Sequence, residues 1–273
     1  MILKVLWSNS EIAVSGFKTQ NASPKETFAV MSNNLHTRLD ALRIKLFSDG
    51  ADLPRILAMY KNPRIKGFTT NPTLMRQAGI SDYEAFGREL LKAVPDRPIS
   101  LEVFADDLEG MSQQAHKIAT WGPNVNVKIP VTNTKGVFTG PLIERLSASG
   151  IVLNITALLT VDQVRAVADA LHPDTPAIIS VFAGRIADTG MDPMPVMRES
   201  LAVMKHRPKA ELLWASPREV LNVFQAEEVG TNIITATPDI LKKLELTGKD
   251  LTDYSLDTVK MFYRDATAAG FSI

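Results

Sequence analysis

The chain has 273 residues, 45% of them hydrophobic, and its 30 basic and 30 acidic side chains cancel. That length and apolar fraction suit one large core, while the charge balance offers no broad field for nucleic acid or an anionic membrane surface. No apolar run reaches the ~20 residues of a membrane span, and the lack of cysteine excludes disulfides, thiolate metal centres and thiol catalysis, which fits a cytoplasmic protein.

In chain order, residues 1–30 open with a short apolar stretch that Ser8, Asn9, Ser10 and Glu11 break too early for a secretory signal. Polar residues, Gly and Pro then dominate through Lys25. Met31 starts a helix-like stretch in which Leu35, Leu39 and Leu42 recur at about helical spacing. Residues 1–44 are therefore expected to form an N-terminal extension, partly disordered or helical.

From Lys45 onward, short apolar runs, mostly rich in β-branched residues, alternate with longer amphipathic ones. Strands are expected at 45–49, 67–71, 99–104, 124–131, 151–158, 177–183, 211–216 and 232–237. Helical patterns lie around 51–61, 82–94, 107–120, 140–148, 161–171, 193–206, 217–228 and 238–246. Strand–helix units at a spacing of roughly 20–30 residues predict parallel strands joined by crossovers. Eight such units is the count at which a barrel closes. An open doubly wound sheet lacks its usual sign here, a Gly-rich strand-to-helix turn. The reading is an α/β fold, a (β/α)8 TIM barrel over 45–273, with an additional C-terminal helix at 255–271 that would cap the barrel or pack on a neighbour.

Polar side chains interrupt these strands. Lys128 lies within VNVKIPV, in a run too apolar for a solvated surface strand. Desolvation disfavours a charged amine, so a buried lysine is a candidate nucleophile. The plain alternative is a buried ion pair with Asp49 or Glu102. Asp49 closes the first strand and Asn71 the second, Glu102 lies in the third, Asn154 and Thr156 share the fifth, and Ser180 is in the sixth. Asn154 and Thr156 are two apart and so share a face. A carboxylate near an amine serves as general acid or base, while Asn, Thr and Ser orient hydroxyls and a water. Each also has a plain structural role: a helix cap for Asp49 or Asn71, a strand former for Thr156, a small core residue for Ser180. Taken together, polar groups on six strands point to a site.

Arg185, Ser216 and Arg218 follow strands six and seven. In FAGRI a Gly stands beside Arg185, where backbone can approach a ligand. In ASPRE, Ser216 is placed like an N-cap and Pro217 like a first-turn proline. A helix N-terminus with a hydroxyl and two guanidinium groups would hold a phosphate. An i,i+4 or interface ion pair for Arg218 and simple capping for Ser216 are the structural alternatives. The histidines, His36, His116, His172 and His206, are scattered outside the strands and show no ligand spacing with a carboxylate, so no metal is expected.

In order, FSDGAD, FTTNPTL, LEVFADD, VNVKIPVT, LNITALLT, ISVFAGRIAD and WASPRE resemble the successive motifs of the transaldolase and fructose-6-phosphate aldolase family. The resemblance runs from about residue 45 to the C-terminus, and TTNPTL and VKIPVT are its most specific parts. It implies an eight-stranded α/β barrel that uses neither cofactor nor metal. By motif it makes Lys128 the Schiff-base nucleophile and Asp49 the acid/base. Glu102 and Thr156 would hold the water that shuttles protons. Asn71, Asn154 and Ser180 would bind the dihydroxyacetone portion, and Arg185, Ser216 and Arg218 the distal phosphate. Glu102 in place of Gln, and Phe182 in place of Tyr, favour transfer of dihydroxyacetone from a ketose phosphate to an aldose phosphate over its direct release by an aldolase. A non-catalytic phosphosugar-binding barrel would have no use for Lys128, Asp49 and Glu102 together. The implied partners are small sugar phosphates, not nucleic acid or membrane, and a homo-oligomer is compatible with the pattern. Val181 before Phe182, and the run ALLTVDQ after NIT, depart from the family pattern near the acceptor side.

Overall fold

A computed structural model of the chain describes residues 39–273, and residues 1–38 of the extension expected over 1–44 lie outside them. One compact unit spans Leu39–Thr247, and Gly248–Ile273 belong to a second. The first unit is the barrel. Its strands are β1 (Lys45–Asp49), β2 (Ile65–Thr69), β3 (Ile99–Glu102), β4 (Val125–Pro130), β5 (Leu153–Leu158), β6 (Ala177–Val181), β7 (Ala210–Trp214) and β8 (Ile233–Ala236). All pairings are parallel, each strand joins the next in sequence, and β8 returns to β1 to close the ring. All eight expected strands are present, and β2 begins two residues earlier than the sequence suggested.

The helices α1 (Leu53–Tyr60), α3 (Tyr83–Ala93), α4 (Leu108–Ala119), α5 (Gly140–Ala148), α6 (Val161–Ala170), α8 (Pro193–Val203), α9 (Leu221–Val229) and α10 (Pro238–Lys242) match the expected helical patterns. Two six-residue helices did not show in the periodicity, α2 (Pro72–Gln77) and α7 (Ala183–Asp188). Local chemistry starts many of these helices. Asp52, Asn71, Asp82, Asp107 and Asp192 each accept an N–H of the first turn. Thr160 and Gln163 form a reciprocal capping box on α6.

Strands covered on both faces carry near-continuous apolar runs, as β6 does, with all five residues buried. A large cluster fills the layer between sheet and helices, with Ile99, Val127, Ile155 and Ile179 completely buried. A second cluster, Phe47, Ile178, Leu213, Ala215 and Ile233, packs inside the barrel. Phe47 needs Gly67 opposite it, because a Cβ there would lie 2.4 Å from the ring. The apolar interior lies below the strands' C-terminal ends, where the polar side chains gather.

In the second unit, α11 (Leu251–Ala268) starts where Asp250 accepts the N–H groups of Thr252 and Asp253. That is four residues ahead of the expected start at 255. None of its residues is buried. No helix among the described residues is long and apolar enough to cross a membrane.

Candidate active site

A cavity of about 460 Å³ opens at the C-terminal ends of the barrel strands, the face where barrel enzymes carry their chemistry. Ten of the side chains singled out from sequence line it: Asp49, Asn71, Glu102, Lys128, Asn154, Thr156, Ser180, Phe182, Arg185 and Ser216. Arg218 does not.

Register explains the centre of the site. Glu102 on β3 pairs with Lys128 on β4, and Lys128 with Asn154 on β5, so three polar side chains share one level. Lys128 is 6% exposed. Its Nζ donates to the carbonyl oxygen of Thr70 at 3.0 Å and lies 3.0 Å from Glu102 Oε2. The buried ion pair weighed from sequence therefore exists, with Glu102 as the partner.

Asp49 ends β1 and does not cap the next helix, since Asp52 does that. Its Oδ1 accepts from the Thr69 hydroxyl at 2.7 Å, and Thr69 Oγ1 lies 2.6 Å from Thr235 Oγ1. Burial pushes the Asp49 carboxyl above its ordinary range. The Lys128 ammonium and the Thr69 hydrogen bond offset part of that push, and the neighbouring Glu102 charge adds to it. A carboxyl that holds its proton more readily, next to an amine–carboxylate pair, is suited to give and take protons.

Asn154 and Ser180 form a polar floor. Ser180 Oγ donates to Asn154 Oδ1 at 2.6 Å, and Asn154 Nδ2 donates to Ser100 Oγ at 2.9 Å. Thr156 is 2% exposed, lines the cavity, and its hydroxyl has no protein partner. One residue further, Ala157 takes φ 66°, and the β5–β6 register shifts between Ile155 and Leu158. This bulge brings the consecutive residues Thr156 and Ala157 both to the cavity wall. Asn71 carries out its structural role too: its Oδ1 caps α2 by accepting from Leu74 N at 3.0 Å.

The distal end corrects the sequence reading in one place. Ser216 is not an N-cap, because α9 begins only at Leu221. Asn222 Oδ1 accepts the N–H groups of Arg218 and Glu219, at 2.7 and 3.2 Å, and that holds 216–220 out of the helix. Ser216 instead adopts φ 62°. Gly184 of FAGRI lies against the Ser216 carbonyl, where a Cβ would come within 1.5 Å of the oxygen, so its close approach is to backbone. Arg218 lies outside the cavity lining. Its Nε donates to Asp188 Oδ1 at 2.8 Å, a second nitrogen bonds Asp188 Oδ2, and Nη1 donates to Ser216 O at 3.0 Å. Arg218 thus braces the Ser216 turn, and its ion pair, with Asp188 30 residues away, is neither the i,i+4 nor the interface pair expected from sequence. Arg185 lies 5.4 Å from the Phe182 ring and faces the cavity.

Sequence reasoning missed Thr69, Thr235 and Ser100, which hold the predicted residues in place. Thr69 stands within the specific motif FTTNPTL, the one signal that would have drawn attention to it.

The family model described as transaldolase/fructose-6-phosphate aldolase matches residues 46–273. A protein named "Probable transaldolase" from Dehalococcoides mccartyi is 34% identical over 202 residues, covering 74% of this chain and 90% of the relative. Another of that name from Novosphingobium aromaticivorans is 32% identical, covering 80% and 97%. Among solved structures, 2,3-dimethylmalate lyase aligns with a TM-score of 0.51 at 12% identity, covering 88% of this chain and 89% of that one. A dihydrodipicolinate synthase family protein from Coccidioides immitis aligns at 0.53 and 15%, covering 82% and 78%. These structures share the fold. On its matched length and its relatives, the chain belongs to the transaldolase/fructose-6-phosphate aldolase family.

Proposed function

We propose that this protein is a transaldolase, moving a dihydroxyacetone unit from a ketose phosphate to an aldose phosphate through a Schiff base on Lys128. The observation that carries the reading is the buried Lys128 amine 3.0 Å from the Glu102 carboxylate at the floor of the cavity. Glu102 can take a proton from the ammonium, and the freed amine then adds to the ketone carbon. Loss of that oxygen as water leaves an iminium, with Glu102 and Thr156 handling the protons. Breaking the C3–C4 bond sends its electron pair into the iminium and forms an enamine. Asp49 takes the proton from the C4 hydroxyl as the aldehyde departs. An acceptor aldehyde reverses these steps: the enamine carbon attacks, Asp49 returns its proton, and water releases the new ketose.

Arg185 lines the cavity beside Phe182, and its guanidinium suits the substrate phosphate. Phe182 presents an apolar ring where a hydroxyl would otherwise help water protonate the enamine, which supports transfer over release. The test is the rate of glyceraldehyde 3-phosphate formation from fructose 6-phosphate, with and without erythrose 4-phosphate. Transfer predicts slow formation alone and much faster formation with acceptor. Equal rates with stoichiometric free dihydroxyacetone would make the protein an aldolase.

A further inference from the structure

Along β3, alternate residues bond to opposite neighbours. Ile99 N and Val103 N donate to Asn124 O and Lys128 O on the β4 side. The even positions face β2, where Phe68 N donates to Pro98 O and Thr70 N to Ser100 O. Continuing this alternation, the donor for the Glu102 carbonyl would be the N–H of residue 72. That residue is Pro72, which has no N–H and opens α2. The ladder runs out of a donor at the residue whose side chain must hold Lys128.

Tyr83 fills the gap. Its hydroxyl donates to the Glu102 carbonyl oxygen at 2.9 Å. The ring is fixed on two sides, 4.5 Å from Phe104 and edge-on to Trp121 at 5.3 Å. Asp82 caps α3 immediately before it, so the phenol is carried at the start of a defined helix. Tyr83 lies outside the cavity lining and touches no reacting atom.

We infer that Tyr83 is a positioning residue for the Glu102–Lys128 pair, replacing the strand hydrogen bond that Pro72 cannot supply. The inference rests on the reading of Lys128 as the Schiff-base lysine. Without the hydroxyl, the C-terminal end of β3 loses its tie to α3, and the Glu102 carboxylate drifts from the amine it deprotonates. Binding of the phosphate end, by residues that follow β6 and β7, does not depend on this tie. The expected signature is slower imine formation at unchanged substrate affinity.

The experiment compares full-length wild type, Tyr83→Phe and Phe104→Leu by borohydride trapping with fructose 6-phosphate, read as intact mass against time. Tyr83→Phe keeps the ring and removes the bond. Its maximal trapping rate should fall roughly fivefold, the size of one ordinary intramolecular hydrogen bond, with the half-saturating concentration unchanged within about twofold. Phe104→Leu loosens the ring packing but keeps the hydroxyl, and should trap at close to the wild-type rate. Wild-type trapping with an equally fast Tyr83→Phe variant would overturn the positioning role while leaving Lys128 in place. Equal slowing in Phe104→Leu would overturn it too, by showing that packing and not the hydroxyl matters. No trapping in wild type would remove the Schiff-base reading itself, and the inference with it.

Discussion

Glu102 and Lys128 are register partners on adjacent strands, and their side chains meet at 3.0 Å with 14% and 8% of each exposed. A pair this buried has given up most of its hydration, so each charge depends on the other. Asp49 is nearby but tied to Thr69, which divides the labour between two carboxylates. One is set against the amine, and the other is held with its proton affinity raised.

Glu102→Gln leaves Lys128 with the Thr70 carbonyl as its remaining partner. Both stability and turnover should fall. Removing one partner of a buried pair costs about 3–5 kcal/mol, and loss of a general acid/base costs roughly 10²-fold or more in kcat. A thermal melt and steady-state kinetics on the same preparation check both.

Asp49→Asn should act oppositely on stability. The Asp49 carboxyl is raised above its ordinary value of 3.8, mainly by burial, so the folded state binds this proton more tightly than the unfolded chain. Its favourable contribution is therefore complete below 3.8 and is lost as pH rises from there through the folded value. Near neutral pH the substitution removes that penalty. The variant should melt higher than wild type there, with the difference shrinking towards acid pH, while kcat falls by roughly 10²-fold or more. A wild-type advantage in melting temperature at neutral pH would contradict the assignment.

Arg185→Ala and Arg218→Ala should separate. Arg185 faces the cavity, and losing one charge-assisted bond of about 1.5–3 kcal/mol should raise KM for sugar phosphates tenfold or more. Arg218 is committed to Asp188 and to the Ser216 turn, so its loss should raise KM less. Initial-rate kinetics with phosphorylated and unphosphorylated ketoses read the difference.

Phe182→Tyr places a hydroxyl on the ring that lines the cavity beside Arg185. Release of free dihydroxyacetone in the absence of acceptor should rise several-fold, on the order of one well-placed hydrogen bond. An enzymatic assay for dihydroxyacetone measures it.

Much of this was legible in the sequence because the chemistry there contradicts its surroundings. Lys128 among Val, Ile and Pro is hard to place anywhere but a buried site, and the eight short apolar runs mark a barrel. The supporting network was not legible. Thr69 and Thr235 are good strand formers, and Ser100 is a small residue in an apolar strand, so none stands out until the ring closes. Helices α2 and α7 are too short, at six residues, to show a period. Pro217 made ASPRE look like a helix start, and only the Asn222 side chain, folded back on Arg218 and Glu219, defers it. The pairing of Arg218 with Asp188 spans 30 residues of sequence and depends on how α7 is set beside the loop after β7.

The covalent role of Lys128 is tested most directly by borohydride trapping with fructose 6-phosphate, followed by intact mass and peptide mapping. Wild type should gain the mass of a reduced dihydroxyacetone or whole-ketose adduct on the peptide containing Lys128, and Lys128→Met should gain none. Labelling that persists undiminished in Lys128→Met would contradict the account.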